Sequence, residues 1–226
     1  MKYPEFKLES YLAKREFRAP FNLCASDLET YSMHEIVEMA DPESLHLWNN
    51  LNLNYIDTIG HPLLREEISK LYGKSIDQEH ILCFAGAEEG IYCMFHALLS
   101  SQDHVVVVTP CYQSLESLPS TICSTTKVQL HYQNGWKLDV NEIAKAIQSN
   151  TKMLVINFPH NPTGALITRD TQQMLIELAR KHDLWIFSDE VYRLLELNPA
   201  DRLSPFATIL IQAQNENFGQ RESSRD

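Results

Sequence analysis

Two stretches of this chain gather residue types that bind and polarise small polar molecules. One is Asn157-Phe158-Pro159-His160-Asn161-Pro162-Thr163-Gly164 and the other is Ser188-Asp189-Glu190-Val191-Tyr192, with Asn161 and Asp189 about 28 residues apart. Together they supply an amide, a carboxylate and a phenol, groups that donate, accept and hold charge. A third stretch, Gly86-Ala87-Glu88, stands where an apolar run gives way to a helical pattern. Free backbone N–H groups and the helix dipole at such a place can hold a phosphate. Each residue also has a plainer explanation. A buried Asp beside a Tyr at a strand end is usually a structural hydrogen bond, Tyr112 alone is more often core than stacking platform, and Gly86 alone would be a turn glycine.

The elements that must position these groups follow from the apolar pattern. Ser32 and Glu35 form an S-x-x-E capping box opening a helix over Met33 to Ala40, which Pro42 closes. Pro62 suits a first helical turn, with Leu64, Ile68 and Leu71 on one face and Gly73 as the stop. Short apolar runs then alternate with helical patterns. The runs Ile81–Phe84, Val105–Val108, Lys127–His131, Met153–Asn157 and Leu184–Ser188 read as strands, and 207–211 as a last one. Helices are expected at Glu88–Leu99, Asp139–Ile147 and Thr168–His182, the last with Thr171, Leu175 and Leu178 inward. Four β-branched residues in succession at Val105–Val108 suit a strand buried on both faces of a parallel sheet. The alternation implies an α/β fold with a largely parallel, helix-flanked sheet. In such a sheet ligands gather at the carboxyl ends of the strands, where both polar stretches fall.

The bulk properties exclude several classes. A formal charge of −11 with scattered basic residues opposes nucleic-acid binding. No apolar run approaches the ~20 residues that cross a bilayer, and the N-terminus lacks the basic patch and apolar stretch of a secretory signal, so a cytoplasmic protein is expected. Five cysteines with no Cys-x-x-Cys pair suggest neither a disulfide framework nor a metal site.

Taken together, N-x-P-x-N-P-T-G followed by a helix and then S-D-E-V-Y resembles the signature of the class I/II aminotransferases, the fold-type I pyridoxal-phosphate enzymes. The resemblance runs from about Phe21 to Leu203 and includes Y-x-x-x-x-G-x-P-x-L-R at Tyr55 to Arg65. It implies pyridoxal 5′-phosphate as cofactor and amino-group transfer between an amino acid and a 2-oxo acid. By resemblance, Asp189 is the carboxylate that keeps the pyridine nitrogen protonated. Tyr192 and Asn161 hydrogen-bond the ring 3-oxygen, Tyr112 stacks on the ring face, and Gly86 and Ala87 hold the phosphate. Glu88 is tolerable there only if its side chain turns away. Tyr55 takes the place of a tyrosine that reaches the phosphate of a neighbouring subunit, which implies a homodimer. Relatives on this scaffold also catalyse β-elimination, racemisation and cyclisation, which share the same Asp and Tyr.

The family holds its cofactor through a lysine roughly thirty residues beyond S-D-E-V-Y. No lysine follows Lys181 here, and the alignable run Glu216-Asn217-Phe218-Gly219 puts a carboxylate in its place. Lys181 precedes the strand that ends beside Asp189, so five strand residues at ~3.3 Å each leave it about 17 Å away. Lys152 stands at the wrong end of its own strand. The expected organisation is an N-terminal arm and small-domain segment over 1–50, a partial cofactor-binding large domain over 51–205, and a divergent, disordered tail over 206–226. The catalytic lysine is absent, so the chain reads as an incomplete, inactive form of a longer enzyme. The alternative is a non-catalytic product that binds cofactor weakly or pairs with a full-length subunit.

Overall fold

A computed structural model of the chain describes residues 3–24 and 26–211. The backbone separates into Glu5–Thr58 and a larger unit formed by the residues from Ile59 onward with the extreme N-terminus. The smaller unit holds three short helices, α1 (Lys7–Leu12), α2 (Met33–Glu38) and α3 (Pro42–Asn49), and none contains a buried residue. The capping box of α2 is present: Ser32 Oγ accepts from Glu35 N–H at 3.2 Å and the Glu35 carboxylate accepts from Ser32 N–H at 2.7 Å. Pro42 does not close that segment. It opens α3, because Asp41 accepts from Ser44 N–H at 2.7 Å and a first helical position needs no N–H of its own.

The larger unit begins with α4 (Pro62–Lys70), which His61 caps by accepting from Leu63 N–H, and Gly73 follows at φ +79. Its expected apolar face is not covered by the described residues, since Leu64 and Leu71 are exposed. The buried member is Arg65, which donates to the carbonyls of Gly60 (3.2 Å) and Gln78 (2.7 Å). The run Ile81–Phe84 is not a strand. Its backbone bonds are Ile81 N–H to the Gln78 carbonyl and Cys83 N–H to the Ile59 carbonyl, and no described strand lies beside it to complete a ladder.

There follow α5 (Ala87–Leu98), β1 (His104–Thr109), α6 (Gln113–Ile122), β2 (Ser124–Gln129), α7 (Val140–Ala146), β3 (Thr151–Asn157), α8 (Arg169–His182) and β4 (Trp185–Asp189). The four strands are parallel in the order β2-β1-β3-β4. Side chains alternate across a strand, so β1 feeds two cores. Val105 and Val107 pack with Met153 and Val155 against Ile91 and Phe95 of α5 and Leu115 and Leu118 of α6. Val106 and Val108 pack with Leu154 and Ile156 against Ile143 of α7 and Leu175 and Ile176 of α8. Each fully buried valine contributes about 1.5–3 kcal/mol relative to exposure.

Three further departures from expectation have identifiable causes. Helix α6 has no clear sequence signal because it is rich in Ser and contains Pro119, yet Ser114, Leu115, Leu118 and Pro119 are buried and packing overrides propensity. β2 starts three residues before the apolar run because it is an edge strand of Ser and Thr in which Val128 is the buried residue. Residues 206–211 are helical rather than a strand. Phe206 joins the core under α8, and Thr208 Oγ1 donates to the Tyr72 carbonyl at 2.8 Å. The remainder of the expected tail, with Glu216–Gly219, lies outside the described residues. On α8 the buried face is Gln172, Leu175, Ile176 and Ala179, with Thr171 and Leu178 at its margins.

Candidate functional site

The strand order fixes where a ligand can enter. From β1 the chain passes through α6 to β2 on one side, and from β3 it passes through α8 to β4 on the other. The two connections leave the carboxyl ends of adjacent strands in opposite directions and onto opposite faces of the sheet, which opens a crevice between them. Tyr112 follows β1 and Asn161 follows β3, so the two flank that crevice.

Asn157, the last residue of β3, organises the edge. It is 2 % exposed and stands in register with Asp189, the last residue of β4. Its Nδ2 donates to the Asp189 carbonyl at 3.0 Å, and its Oδ1 accepts from Asn161 N–H at 3.0 Å. Phe158 N–H also donates to the Asp189 carbonyl, at 3.2 Å. One amide therefore ties the 158–164 loop to the end of β4. In the sequence Asn157 reads as one letter of the motif among others, because its work is done through backbone partners that a sequence does not display. The loop closes with Gly164 at φ +70, whose N–H donates to the His160 carbonyl at 2.8 Å.

Asp189 Oδ1 accepts from Val191 N–H at 3.1 Å. Burial pushes its carboxyl above the usual range, and that one backbone bond only partly opposes the shift. Glu190 turns elsewhere: its Oε1 accepts from Ser188 Oγ and Phe206 N–H, both at 3.0 Å, and Arg193 lies 3.5 Å from Oε2. A small cavity lined by Glu190, Arg193, Glu196 and Gln172 includes none of Tyr112, Asn161, Asp189 or Tyr192 and is separate from the crevice. Tyr192 is half-buried in the turn after β4, and Tyr112, also half-buried, precedes α6 and packs on the Phe95 and Leu115 core. Next to it the Cys111 thiol is pushed up to about 12 by burial, with Glu116 and Asp189 adding to the shift, which disfavours its thiolate form.

Gly86 precedes α5 at φ +99, and a Cβ there would meet nothing within 4 Å. Glycine is required by the backbone conformation, and the space beside the first turn of α5 is open. The Glu88 carboxylate accepts from Ser114 Oγ at 2.8 Å, bracing α5 against α6, while Glu89 accepts from Ala85 N–H at 2.7 Å. Tyr55 belongs to the Glu5–Thr58 unit and its side chain is fully exposed. The lysines stand away from the strand ends: Lys152 faces Asp103 at 3.5 Å at the start of β3, Lys181 is in the exposed last turn of α8, and Lys127 pairs with Glu116. Among the described residues no cluster of His, Cys, Asp and Glu could hold a metal, and no helix is long and apolar enough to cross a membrane.

The chain belongs to the class I and II aminotransferases, whose pattern it matches over residues 18–214. It is 34 % identical to arginine–pyruvate transaminase of Pseudomonas aeruginosa over 68 % of this chain and 40 % of that protein. To aspartate aminotransferase of Pyrococcus horikoshii it is 31 % identical, over 73 % of this chain and 45 % of that one. The fold superposes on aspartate aminotransferase of Thermus thermophilus with a TM-score of 0.77 at 25 % identity, covering 93 % of this chain and 56 % of the other. A pyridoxal-phosphate-dependent aminotransferase of Streptococcus suis gives the same TM-score at 29 % identity, over 84 % and 52 %. The chain thus spans about two-fifths of the length of the curated relatives it matches.

Proposed function

We propose that this chain forms the ring-binding and phosphate-binding part of a pyridoxal-phosphate site, and that the protein to which the site belongs transfers amino groups between an amino acid and a 2-oxo acid. The residues present fit the group. The observation that carries the assignment is Asp189, a half-buried carboxylate at the end of β4 whose ionisation desolvation disfavours and an adjacent protonated pyridine nitrogen would favour. Once held there, the cofactor supplies an electron sink for charge developing at the substrate's α-carbon.

The chain's own residues do the rest. Asp189 holds a proton on the ring nitrogen. Asn157 fixes the depth of that carboxylate relative to Asn161 by binding the backbone of both. Asn161 and Tyr192 donate toward the ring 3-oxygen, and Tyr112 covers one ring face. The N–H groups at Gly86 and Ala87 receive the phosphate at the open start of α5, while Ser114 keeps the Glu88 carboxylate engaged. Turnover needs an amine that the given sequence does not carry after Lys181. The 226 residues alone are therefore assigned binding without amino-group transfer.

The apolar exposure of α1–α3 supports a second element of the proposal. Met33, Ile36, Met39, Leu47 and Trp48 are all exposed, and exposed apolar side chains grouped on neighbouring helices are a feature of interaction surfaces. Pairing with a second subunit, either a copy of this chain or a lysine-bearing form, would cover it and bring the partner copy's counterpart of Tyr55 to the phosphate.

Titration of the purified chain with pyridoxal phosphate, followed by borohydride reduction, tests the proposal. The expected result is saturable binding with no covalent adduct at the site, and an adduct once a lysine-bearing C-terminal half is supplied in trans. An adduct on the isolated chain would remove the claim that it lacks the amine. No binding would remove the site.

A further inference from the structure

We propose that Ser114 is a positioning residue for the phosphate end of the ligand: it holds the Glu88 carboxylate at the start of α6, leaves the start of α5 to a phosphate, and so makes the site selective for phosphate-bearing ligands. The role rests on the cofactor assignment above.

Two helix starts compete for negative charge here. Gly86, before α5, has no side chain to cap with, and Tyr112, before α6, makes no capping bond. The first N–H groups of each helix have no partner inside it, and the helix dipole favours an anion at both ends. Helix α5 carries two carboxylates of its own in its first turn, Glu88 and Glu89. Unrestrained, they would occupy or repel what a phosphate needs. Both are engaged elsewhere. Glu89 turns back along the incoming chain and accepts from Ala85 N–H at 2.7 Å. Glu88, exposed, reaches across to α6, where its Oε2 accepts from Ser114 Oγ at 2.8 Å.

Ser114 is built to hold it. The residue is 1 % exposed in the first turn of α6, next to Leu115 of the core. An ionised carboxylate only accepts, so the hydroxyl must donate, and the bond is charge-assisted. The Glu88 charge therefore lies beside the positive end of α6, while a Cβ at Gly86 would meet nothing within 4 Å and the start of α5 stays open. One internal anion serves one helix and the other helix is left for an external one. Without the Ser114 hydroxyl the favourable place for the Glu88 charge is the start of its own helix, in competition with the phosphate. A ligand without a phosphate does not meet that competition.

The experiment titrates the full chain with pyridoxamine phosphate and with phosphate-free pyridoxamine, probes that need no lysine. S114A should bind pyridoxamine phosphate roughly five- to ten-fold more weakly, the worth of one anion at a helix start, and pyridoxamine as the parent does. The loss should shrink in high salt, which screens exposed charge. E88Q, whose amide oxygen still accepts from Ser114, should bind the phosphate probe at least as tightly as parent, and S114A/E88Q should recover most of the S114A loss because the released side chain is neutral. E88D keeps the charge but falls one methylene short of Ser114, so it should behave as S114A does. Equal weakening of both probes in S114A, S114A binding the phosphate probe as well as parent, or a double variant no better than S114A overturns the role and leaves the cofactor assignment standing. A parent chain that does not prefer pyridoxamine phosphate to pyridoxamine overturns both. Should S114A not fold, E88D and E88Q, at an exposed position, decide: equal affinity of the two for the phosphate probe overturns the role.

Discussion

Replacing Asp189 with asparagine separates the demands of folding from those of binding. The substitution is isosteric and keeps an oxygen to accept from Val191 N–H, the 3.1 Å bond that shapes the turn after β4. Burial raises the native carboxyl's pKa, so above that value the folded chain holds a charge it would rather lose. The sign follows from proton linkage: the folded state binds more protons than the unfolded one between the two pKa values, so stability falls as pH rises through that window and stays lower beyond it. D189N abolishes this penalty. At neutral pH the cofactor-free variant should melt at a higher temperature than the parent, and the difference should shrink as pH falls through the carboxyl's titration. Binding should move the opposite way. The charge-assisted hydrogen bond between the carboxylate and a protonated ring nitrogen contributes about 1.5–3 kcal/mol, so affinity for pyridoxamine phosphate should fall roughly 10- to 150-fold. Differential scanning fluorimetry without ligand and fluorescence titration with it measure the two effects. Equal affinity in parent and variant, or a less stable cofactor-free variant at neutral pH, would refute the role given to Asp189.

Other perturbations probe the frame around it. N157A strips a 2 % exposed amide of two bonds and leaves the part-buried Asn161 N–H without its acceptor, at a cost of about 1–3 kcal/mol by urea unfolding. G86A meets no steric neighbour but forces a side chain to φ +99, so it should cost about 1–2 kcal/mol and weaken phosphate-bearing ligands more than phosphate-free pyridoxamine. His104, fully buried at the start of β1, has Thr151 and Thr126 hydroxyls at 2.7 and 2.9 Å and a pKa lowered by burial. The unfolded chain therefore binds the extra proton first, and stability should fall as pH drops below about 6.5. H104Q should flatten that slope in melts recorded across pH 5–7.

The parts of the fold legible in the sequence are those whose signal is local. The valine run of β1, the cap of α2, and the Asn161 and Asp189 motifs can be read from residue type and spacing. What escaped depends on distant partners. Ile81–Phe84 has strand composition, but a strand exists only beside another, and none of the described strands lies there. Helix α6 hides behind Ser and Pro because its stability comes from burial against α5 and β1. The 207–211 run satisfies both strand and helix patterns, and the anchoring of Phe206 and Thr208 decides for helix. At the strand ends, Asn161, Asp189 and Tyr192 are legible as motif letters. The role of Asn157 is not, since its partners, the Asp189 carbonyl and the Asn161 N–H, are backbone groups set by the register of β3 with β4.

The role proposed for Asp189 is to keep a pyridine nitrogen protonated in the crevice at the carboxyl ends of the strands. The most direct measurement is the ¹⁵N chemical shift of ring-labelled pyridoxamine phosphate bound to the parent chain, followed upward in pH and repeated with D189N. The parent should hold the ring nitrogen protonated well above the pH at which the free molecule loses that proton, and D189N should not. A bound ring that titrates as it does in free solution, or identically in parent and variant, would contradict the account.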